Sequence, residues 1–189
     1  WLLDLVGFAT LSDMVTLVGK NRMLAYYGLQ VIKKTRRIGL RLLLEKNNIY
    51  LNNLTETDLT FTVAPRLNAA SRMDTPMLAF DLLATDDPTR AHQIVCTLEE
   101  INTLRKTLVA QITKAAHATI EHRALGGGLG EIVVVGNPDW RPAVLGLVAN
   151  KLVETYGKSF FVWGEAGDGS IKGSCRMIDE HHAALLFQA

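Results

Sequence analysis

The chain has 189 residues, of which 48% are apolar and 21% charged, and its formal net charge is +1. Such a composition is that of an ordinary globular protein able to bury roughly 70% of its unfolded surface in one or two cores. The near-neutral balance does not by itself point to a nucleic-acid partner. The two cysteines, Cys96 and Cys175, are far apart and lack a C-x-x-C spacing. That excludes a disulfide framework or a zinc ribbon and fits a reducing cytoplasm.

The opening Trp1 to Leu11 is apolar but interrupted by Asp4, lacks a basic leader and is too short to span a bilayer, so it reads as a core segment with no membrane role. A start at Trp rather than Met suggests a fragment of a longer protein. Leu2 to Val18 reads as a buried helix or strand that carries Asp13 toward a turn at Gly19. Asn21 is placed to cap a helix through Leu24, Leu29 and Ile32, and Gly39 to break the chain before a short helix ending at Lys46. Lys20, Arg22, Lys33, Lys34, Arg36, Arg37, Arg41 and Lys46 face the single acid Glu45 over this stretch, a plausible electrostatic footprint for phosphates or simply a solvated helix end.

The polar run Asn47 to Asp58 reads as loop, and a helix from about Met77 to Ala84 precedes the start signal Asp86-Asp87-Pro88. Beyond Pro88, the residues Ile94, Leu98, Ile101, Leu104, Leu108, Ile112, Ala115 and Ile120 recur at three- and four-residue intervals, one stripe of a long amphipathic helix. At about 1.5 Å per residue it would run roughly 50 Å before Gly126-Gly127-Gly128 ends it. We place the domain boundary on that helix, with a first domain over 1–87, a connecting helix over 88–125 and a smaller domain over 126–189. The smaller domain begins as a βαβ unit: Glu131 to Val135 is a β-branched strand, Pro142 opens a helix ending near Gly157, and Ser159 to Trp163 is the next strand. Ser170 to Arg176 gives a further strand, and Asp179 could open a last helix. The fold class is therefore α/β.

The most informative run is Ala64-Pro65-Arg66-Leu67-Asn68-Ala69-Ala70-Ser71-Arg72-Met73. It sets two guanidinium groups and an amide among small residues. Pro65 discourages a regular helix, and Ala69, Ala70 and Ser71 would let a phosphate chain approach the backbone, although two solvated arginines at a helix start are the commoner arrangement. Near the C-terminus, Lys172-Gly173-Ser174-Cys175-Arg176 offers a second such set, with a backbone open at Gly173, a hydroxyl at Ser174 and a planar fork at Arg176.

The first run resembles the APRLNAAGRM segment of the RecJ family of single-strand-specific DNA exonucleases, within the DHH phosphoesterase superfamily. Asp4 to Val15, Asp139 to Ala149 and Lys172 to Arg176 match further family motifs in the expected order, so the resemblance covers nearly the whole chain. It implies the helical end of a DHH-type α/β domain, a long connecting helix and a smaller DHH-associated domain. It also implies single-stranded DNA as partner, hydrolysis from the 5′ end to mononucleotides, and two divalent ions, Mn²⁺ or Mg²⁺, bridged by carboxylates. DNA-repair or recombination proteins are the protein partners it suggests.

On the resemblance Asp13 is the one metal ligand and catalytic residue in this chain, and an aspartate ending a buried segment is costly unless paired or cation-bound. Arg66, Asn68, Arg72, Lys172, Gly173, Ser174 and Arg176 become phosphate or strand contacts, with Arg141 a weaker candidate. Three departures stand out. Arg141-Pro142-Ala143 replaces His-Pro-Gly, which removes an imidazole but leaves an anion-binding helix N-terminus; Ser71 replaces a glycine; and the later glycine- and histidine-containing motif is missing, as are the remaining metal ligands. The fragment alone is therefore expected to be inactive. His181-His182 reads as a surface or cap pair, and His92 with Cys96 makes only two ligands. Two alternatives remain open: a phosphodiesterase for cyclic dinucleotides or short oligonucleotides, and a catalytically silent DNA-binding scaffold.

Overall fold

The computed structural model describes residues 2–125 and 128–178. The helix expected from Asp179, the His181-His182 pair and two of the three glycines at 126–128 lie outside the described residues. The chain divides into two compact units, one ending at Thr103 and the other beginning at Leu104. The division falls inside a single long helix.

The first unit is helical: α1 (Leu3–Ser12), α2 (Gly19–Ile32), α3 (Ile38–Lys46), α4 (Ala64–Arg72), α5 (Pro76–Ala84) and the first part of α6 (Pro88–Leu125). Short 3₁₀ and π turns at Leu51–Asn53 and Asp58–Val63 lead into α4. Helices α1 and α2 cross at Gly7 and Gly28, where a Cβ on Gly7 would lie 2.5 Å from the Gly28 Cα. Two glycines thus let the backbones touch. The core is a single apolar cluster around Ile32, Leu40, Leu43, Leu44, Leu59 and Leu82, each fully buried. At about 1.5–3 kcal/mol per fully buried aliphatic side chain, this cluster dominates the stability of the unit.

Three local expectations change. Asn21 is not the cap of α2; it lies inside the first turn and its amide donates to the Thr16 carbonyl at 3.2 Å. Gly39 does not break the chain but sits in α3, where a Cβ would meet the Leu82 carbonyl oxygen of α5 at 1.9 Å. Close packing of α3 on α5 is what demands glycine there. Pro65 stands in the first turn of α4, where no intrahelical N–H is lost, so the arginine-bearing run is helical after all.

The inward line of α6 passes through Ala91, Ile94, Val95 and Leu98 in the first unit and Val109, Ile112, Ala116 and Ile120 in the second. Leu104 and Ala115 of the expected stripe are exposed. A 3.6-residue period fits several neighbouring phases, and each core selected its own.

In the second unit β1 (Ile132–Gly136) pairs parallel with β2 (Ser159–Glu165), which pairs antiparallel with β3 (Ile171–Arg176). Helix α7 (Pro142–Tyr156) makes the crossover between the parallel strands and ends at Gly157, whose φ of +59° suits a residue without a Cβ. Val133 and Val135 turn inward from β1 onto Val144, Leu145, Val148 and Leu152 of α7, with Phe160 and Val162 from β2. The architecture is mixed α/β, as expected, with a small sheet. No helix among the described residues is long and apolar enough to cross a membrane.

Candidate functional site

Asp13 follows the last residue of α1, and its backbone N–H closes the helix onto the Ala9 carbonyl at 3.0 Å. The segment around it is not buried: Asp13 and the loop through Val18 are exposed, and Met14 takes a φ of +52°. A burial penalty therefore provides no argument for a cation at Asp13. What the structure offers is an accessible carboxylate at a sharp turn. Among the described residues no group of three His, Cys, Asp or Glu side chains converges on a possible ion site.

The arginine-bearing helix α4 splits its polar residues between two faces. Arg66 turns inward: Nε donates to Glu99 Oε1 at 2.6 Å and Nη1 to the Thr62 carbonyl at 2.6 Å. Glu99 Oε1 also accepts from the Asn47 amide at 3.0 Å, so Arg66 is part of a partly buried clasp joining α3, α4 and α6. Asn68 and Ser71, three apart, face solvent, and Arg72 is half-buried at the last turn. The run therefore presents one exposed amide and hydroxyl rather than two free guanidiniums.

Strand β3 arranges its candidates differently. Alternation puts Lys172, Ser174 and Arg176 on one face. Gly146, one turn into α7, lies opposite: the position its Cβ would take is 3.1 Å from Ser174 Oγ and 3.4 Å from Arg176 Nη2. The missing side chain leaves a notch in which hydroxyl and guanidinium come together. Arg176 Nη1 donates to the Cys175 carbonyl at 2.7 Å, which holds the fork in place while the residue remains exposed. Lys172 is paired instead with Asp168, Nζ to Oδ2 3.7 Å. Hydrogen bonds from Ser170 hold the Asp168 carboxyl below its usual range, and burial pushes the Cys175 thiol up.

Gly173 has a reason other than phosphate access. It pairs with Trp163, and a Cβ there would meet the Val162 carbonyl oxygen at 2.7 Å. Arg141 is the N-cap residue of α7 and is half-buried, with Pro142 in the first turn and no side-chain cap. The dipole of α7 favours an anion at that turn. Together, Ser174, Arg176 and α7 can hold an oxyanion by charge-assisted hydrogen bonds. His92 is exposed and Cys96 half-buried, with Nδ1 and Sγ 3.9 Å apart, a weak side-chain contact.

Two features escaped the sequence reading. Asp4, buried, accepts from Arg37 Nε at 2.7 Å, and Arg37 Nη1 donates to the Leu83 carbonyl at 3.0 Å. The interrupting acid of the opening segment is thus a tie between α1, α3 and α5, and a pairing across 33 residues has no local signature. Gly146 likewise looked like an ordinary small helical residue.

A helical unit, a long helix shared by both units and a small three-stranded α/β unit define a protein of the mixed α/β class. No protein-family model matches the chain. Among curated proteins, the single-stranded-DNA-specific exonuclease RecJ of Haemophilus influenzae is 33% identical over 183 residues, 96% of this chain and 32% of that protein. RecJ of Escherichia coli is 33% identical over 96% of this chain and 32% of its own length, and RecJ of Bacillus subtilis 33% over 94% and 22%. Thermus thermophilus RecJ in complex with Mg²⁺ superposes with a TM-score of 0.82 at 30% identity, over 98% of this chain and 28% of that one. The same protein with Mn²⁺ gives 0.77 at 26% identity, over 98% and 31%. The chain is RecJ-like over nearly its whole length, and it spans about a third or less of the curated relatives it matches.

Proposed function

We propose that this chain is the strand-holding part of a RecJ-like exonuclease that hydrolyses single-stranded DNA from the 5′ end to mononucleotides, in the cytoplasm and beside DNA-repair or recombination proteins. The observation that carries the reading is the notch over Gly146, where Ser174 and Arg176 converge next to the N-terminal turn of α7. There the hydroxyl and the fork hold a phosphate of the strand and fix its register. Asn68, Ser71 and Arg72 at the exposed end of α4, and Arg141 and Lys172, are further strand contacts. Arg66 acts through position, by fixing α4 on α6.

The similarity to RecJ structures solved with Mg²⁺ and Mn²⁺ supports a divalent ion as cofactor. Such an ion activates water and stabilises charge on the scissile phosphate. Asp13 fits as one hard oxygen donor, accessible at the end of α1. One carboxylate does not hold two ions, so hydrolysis belongs to a protein that brings further ligands, and the chain alone is inactive. The test is the longer protein carrying this segment, assayed on 5′-labelled single-stranded DNA with Mn²⁺. Asp13→Ala should abolish release of mononucleotides while leaving DNA affinity within about twofold. Near-normal turnover by Asp13→Ala, or chelator-sensitive turnover by the isolated chain, would overturn the assignment.

A further inference from the structure

Helix α2 presents an unusual outer face. Lys20, Met23, Tyr27 and Gln30 follow one another at three- and four-residue spacing, which aligns them along one side with Arg22 and Tyr26 beside them, and Lys34 stands in the turn just past the helix end. Tyr26 and Tyr27 are 60% and 54% exposed, and their rings meet edge to face with centroids 5.2 Å apart. No acidic residue occurs in α2 or in the turn that follows it. At its C-terminal end this face opens into a cleft of about 820 Å³, lined by Tyr27, Gln30, Lys34 and Arg36 on one side and by the end of α5 on the other.

Arg37 also lines the cleft, with Nε donating to Asp4 and Nη1 to the Leu83 carbonyl. Lys34 and Arg36 are exposed and make no ion pair or side-chain hydrogen bond among the described residues. Asp86 at the α5 rim is the remaining acid. The α2 side of the cleft is therefore cationic and aromatic, and the volume is that of a site for a nucleotide-sized group. Accessible rings between unpaired cations suit unstacked bases joined by phosphates; a duplex hides its base faces, and a purely acidic peptide would leave the rings unused.

We propose that the α2 face and its cleft bind single-stranded DNA, a base stacking on Tyr27 and the adjoining phosphates resting on Lys34 and Arg36. The inference rests on the reading that this protein handles single-stranded DNA, and it adds a second contact surface, in the first unit, to the phosphate notch of β3 and α7. Sequence preference there is weak, because every base offers a ring face.

The experiment is fluorescence anisotropy of labelled oligothymidylate with the 189-residue chain over a salt series. The double variant Lys34→Glu/Arg36→Glu should weaken binding at least about tenfold at low salt and flatten the salt dependence by roughly 1.4 units, about 0.7 for each lost phosphate. Tyr27→Ala should weaken it about fivefold or more, and Tyr27→Phe should restore it, since the ring and not the hydroxyl stacks. All these residues are exposed, so far-UV circular dichroism should be unchanged. If these variants stay within twofold of the parent while Arg176→Ala binds poorly, the α2 surface is refuted and the β3 notch stands. If neither set changes affinity, or the parent chain does not bind, both contacts fail. Competition by polyglutamate that is indifferent to Tyr27→Ala would overturn the assignment to DNA in favour of an acidic protein.

Discussion

Helix α4 and strand β3 each carry an arginine motif, and the two use their arginines in opposite ways. In α4, the Arg66 side chain is only 15% exposed and spans to Glu99, so one of the expected strand contacts is engaged in a structural tie. In β3, Arg176 remains exposed, steadied by its neighbour's carbonyl and given room by a glycine on the facing helix. The difference comes from the partner element. A helix buried on one side turns some of its long side chains inward, whereas a strand presents every second residue to the same face. A guanidinium is available to a ligand only where the fold has not already given it a carboxylate.

The contrast can be broken first at the structural end. Arg37→Ala leaves the buried Asp4 carboxylate without its cation and should lower stability by about 3 kcal/mol, short of the full penalty because Arg37 is partly exposed. Urea unfolding followed by circular dichroism measures this. A loss under about 1 kcal/mol would show that Asp4 is solvated rather than tied.

Sharper still is the paired comparison of Arg66→Ala with Arg176→Ala. The former should cost about 2 kcal/mol of stability, because Glu99 and the Thr62 carbonyl lose a charged donor, yet leave DNA affinity per folded molecule nearly intact. The latter should leave the unfolding midpoint unchanged but reduce the salt slope of single-stranded DNA binding by about 0.7, with Arg176→Lys recovering part of the affinity. Exchanged results would invert the assignment of the two motifs. The smallest effect is expected at Gly146→Ala. The added methyl meets Ser174 Oγ at 3.1 Å and Arg176 Nη2 at 3.4 Å, contacts that require a shift of a few tenths of an ångström. A two- to threefold loss of affinity at unchanged stability would fit a notch that needs to stay empty, and no loss would make Gly146 incidental.

Much of the architecture was legible in local pattern. The β-branched run over Glu131 to Val135, which forms the strand Ile132–Gly136, Pro142 at the start of α7, Gly157 at its end and the helix through Pro88–Leu125 follow from period, caps and propensity acting over a few residues. The motif order that resembles RecJ was equally visible, and the similarity to RecJ proteins spans 96% of the chain. Less was legible where a residue's meaning depends on a distant neighbour. Gly39 was read as a break because a lone glycine weakens a helix, when the Leu82 carbonyl is what forbids a side chain there. Asp13 was read as buried because apolar residues precede it, but α1 ends at Ser12 and the chain turns out into solvent.

Sequence by itself determined the long helix, the βαβ connection and the candidate chemistry of β3, because hydrophobic period and helix termini are encoded within a turn or two of the chain, whereas local pattern admits helix or strand for α1 and does not show α4 as a helix. Tertiary structure alone decided which charged groups are available. Asp4 with Arg37 and Glu99 with Arg66 are joined across 33 residues in each case, so their side chains serve the fold, while Lys34, Arg36 and Arg176 keep their faces open. Electrostatic pairing acts over a few ångströms in space and is indifferent to separation along the chain.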